Sequence, residues 1–335
     1  MPTLKYKIEP VKKDEEGVLL AKEIIPVNGS FIKQTLVKKW GFELTAPDKT
    51  WYEAAKHIAT CPDCKTLEIG AASGPFPTFV RDTFEESLSS NLSFLKGYWA
   101  IDPDQQAIEQ LHKNIPEIPQ NQLISGVLEQ NTLKKFGKTK FDVIVVSRVF
   151  HFLSDEQMID QLRLISECLA PHGVIFLSGL TTALYALRIA YGSKNFTPEI
   201  SSCGTVTVNL YELNRHTQNL IPVSAVEAHQ KSEVKEDSGL TLRNAYAWSQ
   251  LIQEAGFYTI QLEKTSYYDT KGQGLFLPWL QEPGSPPNVN CHLVIHKNRP
   301  NSPFFFRQVE CLKEEKKLEE KKQESLKPGS TPTPF

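Results

Sequence analysis

From residue 66 onward, short apolar runs alternate with stretches whose apolar residues recur every three or four positions. The runs are "TLEI", "GYWAID", "NQLISGV", "FDVIVVS" and "GVIFLSG". "FDVIVVS" is almost entirely apolar and β-branched, which predicts a central strand buried on both faces. Strands of this kind interleaved with helical periodicity predict an α/β layer fold around a largely parallel sheet. After "FDVIVVS" the segment Ser154–Gln157, "SDEQ", has the pattern of a helix capping box. Met158, Leu162, Ile165 and Leu169 then form one helical face, and Pro171 and Gly173 end it. Further along, Trp248, Leu251, Ile252 and Ala255 make a second stripe, with Gly256 as its C′ residue. "FYTIQLE" and "NCHLVIHKN" supply two more strands.

The pattern divides the chain. Residues 1–60 mix charge with aromatics, and "FIKQTLVKKWGFEL" and "TWYEAAKHIATC" are expected as short helices, making an N-terminal helical segment. The second places Trp51, Ala54 or Ala55 and Ile58 on one face. Residues 61–300 form the main domain, interrupted by an insertion at 180–240. That insertion holds "LTTALYALRIAYG", with Leu180, Leu184, Leu187 and Ala190 or Tyr191 at helical spacing. It also holds the alternating "GTVTVNLYEL", with Val206, Val208 and Leu210 on its apolar side, and a polar link, "HQKSEVKEDSG". Residues 301–335 are a charged helix followed by a Pro/Ser/Thr tail. No internal repeat is visible.

Composition narrows the classes. The 335 residues are 40% hydrophobic and 23% charged with a net charge of −2, so no global field draws the chain to nucleic acid or an anionic membrane. No run approaches the ~20 apolar residues of a membrane span, and the N-terminus has no apolar signal core. The six cysteines are scattered, which points to a reducing cytoplasm rather than a disulfide framework. "CPDC", Cys61 to Cys64, has the spacing of half a zinc site or of a redox pair; no second pair follows, and no metal is expected.

The chemistry gathers at two strand ends. "TLEIGAASGPFP" is a strand ending in Glu68, then a turn between Gly70 and Gly74, then a helix start with Pro75 and Pro77. A helix N-terminus suits an anionic or carboxylate-bearing ligand. The glycines allow a sharp turn and a close approach of ligand and backbone. The G-x-x-x-G spacing is neither a dinucleotide fingerprint nor a phosphate loop. "GYWAIDPDQQAIEQL" ends a strand in Asp102, with Pro103 as a first helical residue. An acid there can accept both hydroxyls of a ribose or cap the helix.

Together these segments resemble the class I S-adenosylmethionine-dependent methyltransferases over residues 60–180 and 241–298. "LEIGAASG" is similar to the family's first motif and "AIDPD" to its second. "FDVIVVSRVFHFLSDEQM" is similar to its fourth-strand motif, "ISECLAPHGVIFLSG" to the segment reaching the fifth strand, and "LIQEAGFYTIQLE" to the last helix and sixth strand. The resemblance implies a Rossmann-like, seven-stranded, mostly parallel sheet whose last strand, "NCHLVIHKN", is antiparallel between its neighbours. It also implies S-adenosyl-L-methionine as cofactor.

Carried over residue by residue, the resemblance implies that Gly70, Ala71 and Gly74 line the methionine end, that Glu68 organises the loop, and that Asp102 and Pro103 hold the ribose. Ser147 and Arg148 would floor the methionine and substrate side. Where the family often has an acid for the adenine amine, this chain has Val127; either Glu129 substitutes or the backbone of Val127 and Leu128 does. His151 is a candidate general base or a packed structural histidine. Tyr185, Tyr211 and His216 of the insertion are further candidates for the substrate side, with Trp51 and Tyr52 as the opposite wall and the insertion as a lid. A small-molecule acceptor is the leading expectation, from "VFHFL", the near-neutral charge and the insertion. The alternatives are methylation of a protein side chain and a non-catalytic cofactor- or partner-binding protein. The Glu-rich "KEEKKLEEKK" also resembles the export signals of some bacterial type IV secretion effectors.

Overall fold

The computed structural model describes residues 47–61, 63–84, 93–193, 195–217, 239–265 and 290–297, together with strand pieces at 6–7, 25–26, 34–37 and 41–44. The 301–335 tail and residues 229–238 of the polar link lie outside the described residues.

The N-terminal segment departs from expectation. "FIKQTLVKKWGFEL" contains an antiparallel hairpin, Gln34–Val37 against Gly41–Leu44, with Val37 opposite Gly41. Thr, Val and Phe suit strands, and Gly41 is a poor helix residue, so local preference favours the hairpin over the weak helical stripe. The second expected helix is present as α1, Lys49–Thr60. Asp48 caps it by accepting the Trp51 backbone N–H, and Trp51, Ala54, Ala55 and Ile58 are its buried face.

The main domain then runs β1 (Thr66–Ile69), α2 (Pro75–Phe84), β2 (Tyr98–Asp102), α3 (Gln105–Asn114), β3 (Leu123–Ser125), α4 (Gln130–Phe136), β4 (Phe141–Ser147), α5 (Asp155–Cys168) and β5 (Leu169–Leu180). After the insertion come α8 (Ala245–Glu254), β9 (Tyr258–Thr265) and β10 (Asn290–His296). The seven strands order as β9-β10-β5-β4-β1-β2-β3. Pairs among β1 to β5 are parallel, and β10 is antiparallel to both neighbours. The expected sheet is therefore the observed one. Both faces are covered. One face carries Met158, Leu162 and Ile165 of α5 with Trp248 and Ile252 of α8. The other carries Trp51 and Ile58 of α1, Phe76 and Val80 of α2, and Ile108 and Leu111 of α3. α5 begins with the expected capping box: Ser154 Oγ accepts the Gln157 N–H and Gln157 returns the bond to the Ser154 N–H. Gly256, at φ +86°, sits just past α8 as a C′ residue.

The insertion contains α6 (Tyr185–Tyr191), β6 (Glu199–Ile200), β7 (Thr205–Asn209), α7 (Leu210–His216) and β8 (Gly239–Arg243). β6, β7 and β8 form a separate antiparallel sheet. Val206 and Val208 are buried while Thr207 is exposed, as the alternation predicts; Leu210 instead opens a helix. Leu184, Leu187 and Ala190 form the buried face of α6, Tyr191 is exposed, and Leu180 ends β5.

β8 ties the insertion to the domain through Arg243. Its guanidinium is fully buried and donates to the Phe150 carbonyl at 2.6 Å, the Leu153 carbonyl at 2.7 Å and Asp155 Oδ1 at 2.8 Å. It also lies over Trp248, at 5.2 Å from the ring centre. Two carbonyls and a carboxylate fix the turn Phe150–Phe152 that follows β4. Among the described residues, no helix is long and apolar enough to cross a membrane.

Candidate functional site

Strand register locates the site. One row across the sheet is apolar throughout: Ile124, Ile101, Ile69, Val146, Leu177, Leu293 and Leu262 are successive partners. The next row toward the carboxyl ends of the parallel strands changes character. Ser125 pairs with Asp102, Ser147 with Ser178, Ser178 with His292, and His292 with Glu263. Gly70 follows Ile69 at the same level, between Asp102 and Ser147. Side chains on successive rows point to opposite faces, so this polar row shares its face with Val145, Phe176 and Val294, the face that α1, α2 and α3 cover. Ligands of open α/β sheets bind at this edge.

The Gly70 turn is built by backbone handedness. Gly70 has φ +76°, Ala72 +49° and Gly74 +90°. A Cβ on Gly70 would lie 2.3 Å from Val149 Cγ2, so the residue also admits the loop after β4. Gly74 differs from the expected close approach of a ligand: its Cβ would lie 2.2 Å from Leu111 Cδ1, so this glycine permits α2 and α3 to pack. The N–H donors of the turn are largely committed. Gly70 and Ala71 donate to the Ile101 carbonyl, Ala72 to Asp102 Oδ2, Gly74 to the Ala71 carbonyl and Thr78 to the Gly74 carbonyl. Pro75 and Pro77 have no N–H. The start of α2 therefore offers a favourable dipole but few donors, less of an anion cradle than the sequence suggests.

Asp102 is 8% exposed and ends β2, beside the Gly70 turn. Its Oδ2 accepts the Ala72 N–H at 2.8 Å and its Oδ1 the Asp104 N–H at 2.9 Å. Burial pushes its carboxyl up to about 6, and the two backbone donors oppose that rise. The cap of α3 is Asp104, which accepts from Gln106 and Ala107. Pro103 thus precedes the cap instead of opening the helix, and Asp102 is left outside the capping role. Glu68 is buried two rows below, on the same face, accepting the Tyr98 hydroxyl. Burial and the neighbouring Glu68 hold the Tyr98 phenol well above its ordinary range. Ala71 is fully buried in the core.

On the other side of Gly70, α1 meets the polar row with its first turn. Trp51 Nε1 donates to Ser147 Oγ at 2.9 Å, Ser178 Oγ donates to Asp48 Oδ2 at 2.9 Å, and Thr50 Oγ1 lies 2.8 Å from His292 Nδ1. Arg148, at φ +61°, places its Nε 3.1 Å from Ser147 Oγ and 3.9 Å from Asp48 Oδ2, with its guanidinium 4.7 Å from the Trp51 ring centre. Trp51 is itself a core residue, packed on Phe76 and Phe79, so it reaches the site by its indole N–H and not as an open wall. Tyr52 is half-buried, edge-on to Phe79.

Beyond β3, Val127 is 52% exposed, Leu128 is buried and Glu129 is exposed. The carbonyls of Val127 and Leu128 already accept from Thr132 Oγ1 and Gln161 Nε2. His151 lies in the turn that Arg243 holds, nearly buried, its ring 4.1 Å from that of Phe152. His216 has its Nδ1 2.9 Å from Ser193 Oγ and its ring against Phe196, partners that all belong to the insertion. The side chains of Tyr185 and Tyr211 lie outside the described residues.

The structure thus gathers Gly70, Asp102, Ser147 and Arg148 at one edge, with His151 just past the same strand end. Sequence reading missed Asp48, Thr50, Ser178 and His292. "APDKT" before a helical stripe is an N-cap signal for Asp48. The partnership of that cap with Ser178 and His292 requires the register of β5 and β10.

A family profile, that of a methyltransferase domain, matches residues 67–175, the stretch from β1 into β5. No curated protein matches the chain in sequence. Among solved structures, one similar fold is an S-adenosylmethionine-dependent methyltransferase from Leishmania major. It is 14% identical over 73% of this chain and 70% of that one, with a TM-score of 0.41. Another is the CcbJ methyltransferase from Streptomyces caelestis, 14% identical over 75% and 96%, at 0.40. A third is a magnesium protoporphyrin IX methyltransferase from Synechocystis, crystallised with S-adenosylhomocysteine, 9% identical over 75% and 83%, at 0.42. The profile match lies on a seven-stranded sheet whose antiparallel strand stands second from the edge, and over residues 67–175 the chain is similar to a methyltransferase domain.

Proposed function

We propose that the chain binds S-adenosylmethionine across the polar row and transfers its methyl group to a small-molecule acceptor held between α1 and the insertion. One observation carries this reading: a buried carboxylate, Asp102, and a left-handed glycine turn stand side by side at the carboxyl edge of the sheet. The residues fit the cofactor. Each Asp102 oxygen spends one lone pair on a backbone N–H and keeps another for a ribose hydroxyl. Val127 offers exposed apolar surface beyond β3, suited to an adenine. When bound, S-adenosylmethionine supplies a methyl group on a sulfonium, open to in-line displacement.

The chain's own part is to bind, orient and exclude water. Asp102, ionised at neutral pH, anchors the ribose by charge-assisted hydrogen bonds. Ser147 is fixed by the Trp51 indole, and Arg148 by Ser147 and Asp48, so the floor of the methyl site is held before any ligand arrives. His151, four residues past the end of β4 in the chain, is a group that can take a proton from a hydroxyl or ammonium acceptor. What supports the insertion as the acceptor's cover is its anchorage: β8 holds, through Arg243, the turn that bears His151.

The test is calorimetric titration with S-adenosylmethionine and S-adenosylhomocysteine. Wild type should bind both, and Asp102→Ala should weaken each by roughly 1.5–3 kcal/mol for each charge-assisted bond lost. Release of S-adenosylhomocysteine is then followed with a low-molecular-mass metabolite fraction and with a protein fraction. Turnover confined to the protein fraction would overturn the small-molecule reading. Absence of cofactor binding by wild type would overturn the whole of it.

A further inference from the structure

We propose that Cys61 and Cys64 form an oxidisable pair, a disulfide site that closes the turn between α1 and β1. Cys61 follows the last residue of α1, and Cys64 stands two residues before β1. The Cys64 N–H donates to the Cys61 carbonyl at 3.0 Å, a bond from residue i to residue i+3. Such a turn brings the two Cα atoms within about 7 Å, and a disulfide spans about 4.4–6.8 Å. Both cysteines are free, Cys61 exposed and Cys64 buried. Among the described residues no third His, Cys, Asp or Glu completes a metal site with them.

The surroundings say which kind of pair this is. A catalytic dithiol needs a stabilised thiolate, as at a helix N-terminus or beside a cation. Cys61 instead sits at the C-terminal end of α1, not at a helix N-terminus. Cys64 is buried and its thiol is pushed up to about 12, with burial as the main cause and Asp142 adding to it. A pair whose buried member gains little from ionising makes a disulfide that forms slowly and resists reduction once made. The pair is therefore a latch and not a thiol–disulfide exchange catalyst. Its place gives it a consequence: it joins the helix whose first turn supplies Asp48, Thr50 and Trp51 to the polar row and the strand that leads into the Gly70 turn.

The step balances with glutathione disulfide as oxidant. The exposed Cys61 thiolate attacks one sulfur of glutathione disulfide and expels one glutathione thiolate. The Cys64 thiolate then attacks Cys61 Sγ in the mixed disulfide and expels the second. The protein loses two electrons and two protons, and one glutathione disulfide becomes two glutathiones.

The experiment incubates the full chain in buffers of rising glutathione disulfide to glutathione ratio, alkylates residual thiols and maps the peptides by mass. In wild type, Cys61 and Cys64 should lose alkylation together and appear as one internal disulfide. Cys64→Ser should instead accumulate a glutathione adduct on Cys61. Cys61→Ser should leave Cys64 without an adduct, because the buried thiol is out of reach. A glutathione adduct on Cys61 as the end product in wild type would overturn the proposal. So would two thiols that stay alkylatable under full oxidant.

Discussion

Asp102→Asn isolates the energetic cost of keeping a carboxylate in the site. Burial raises the Asp102 carboxyl from 3.8 to about 6 in the folded chain. Between those values the folded state holds a proton that the unfolded state has released. Stability therefore falls as pH rises through this window, and the loss is complete above about 6. At about 1.36 kcal/mol for each pKa unit, the full change is about 3 kcal/mol. Asparagine cannot ionise, so the variant lacks this slope. It has its own cost: both carboxylate oxygens accept backbone N–H groups, and the amide NH₂ would face one of them. That cost, about 1–3 kcal/mol, does not vary with pH. The measurement is urea unfolding of both proteins without ligand, from about pH 4 to about pH 7. The stability of the variant relative to wild type should rise by about 2.4 kcal/mol of that total over this range, whatever its absolute value. A difference flat with pH would refute the reasoning, since it would mean that Asp102 ionises as it does in water. With S-adenosylmethionine present, wild-type affinity should strengthen as pH rises through about 6, and the variant's should not.

Other perturbations follow from the same structure. His292 is fully buried, bonded to Thr50, and faced by Asp48, Lys49, Glu53 and Glu263; burial, first, holds its imidazole below 6.5. Its contribution is thus present above 6.5 and lost as pH falls below it, and His292→Gln should remove that part of the acid instability in urea titrations. Gly70→Ala adds a methyl 2.3 Å from Val149 Cγ2 at φ +76°, whereas Gly256→Ala meets nothing within 4 Å at φ +86°. The second should cost about 1–2 kcal/mol for handedness alone and the first clearly more; equal thermal shifts would remove the close approach from the account of Gly70. Arg243→Met strips two carbonyls and Asp155 of their donor and should cost about 3 kcal/mol in urea unfolding, a loss below about 1 kcal/mol counting against the anchor.

The apolar runs and helical stripes determined the layers by themselves. "FDVIVVS" could be nothing but a strand buried on both sides, and Met158, Leu162 and Ile165 or Trp248, Leu251 and Ile252 had one face to bury. "EIGAASG" and "AID" marked the two strand ends because glycine handedness and a lone acid after an apolar run are local signals. "QTLV" and "GFEL" carry both periods within a short window, and pairing with a second strand decides between them. Asp48 and Thr50 are far in the chain from Ser178, and all three from His292, and the four are ordinary in type. Only the register of β10 against β5, and the docking of the first turn of α1 upon it, makes them one hydrogen-bonded row with Ser147 and Arg148. Periodicity fixes which face of an element is buried. Which buried polar groups meet is decided by strand order and register, and those are properties of the assembled sheet.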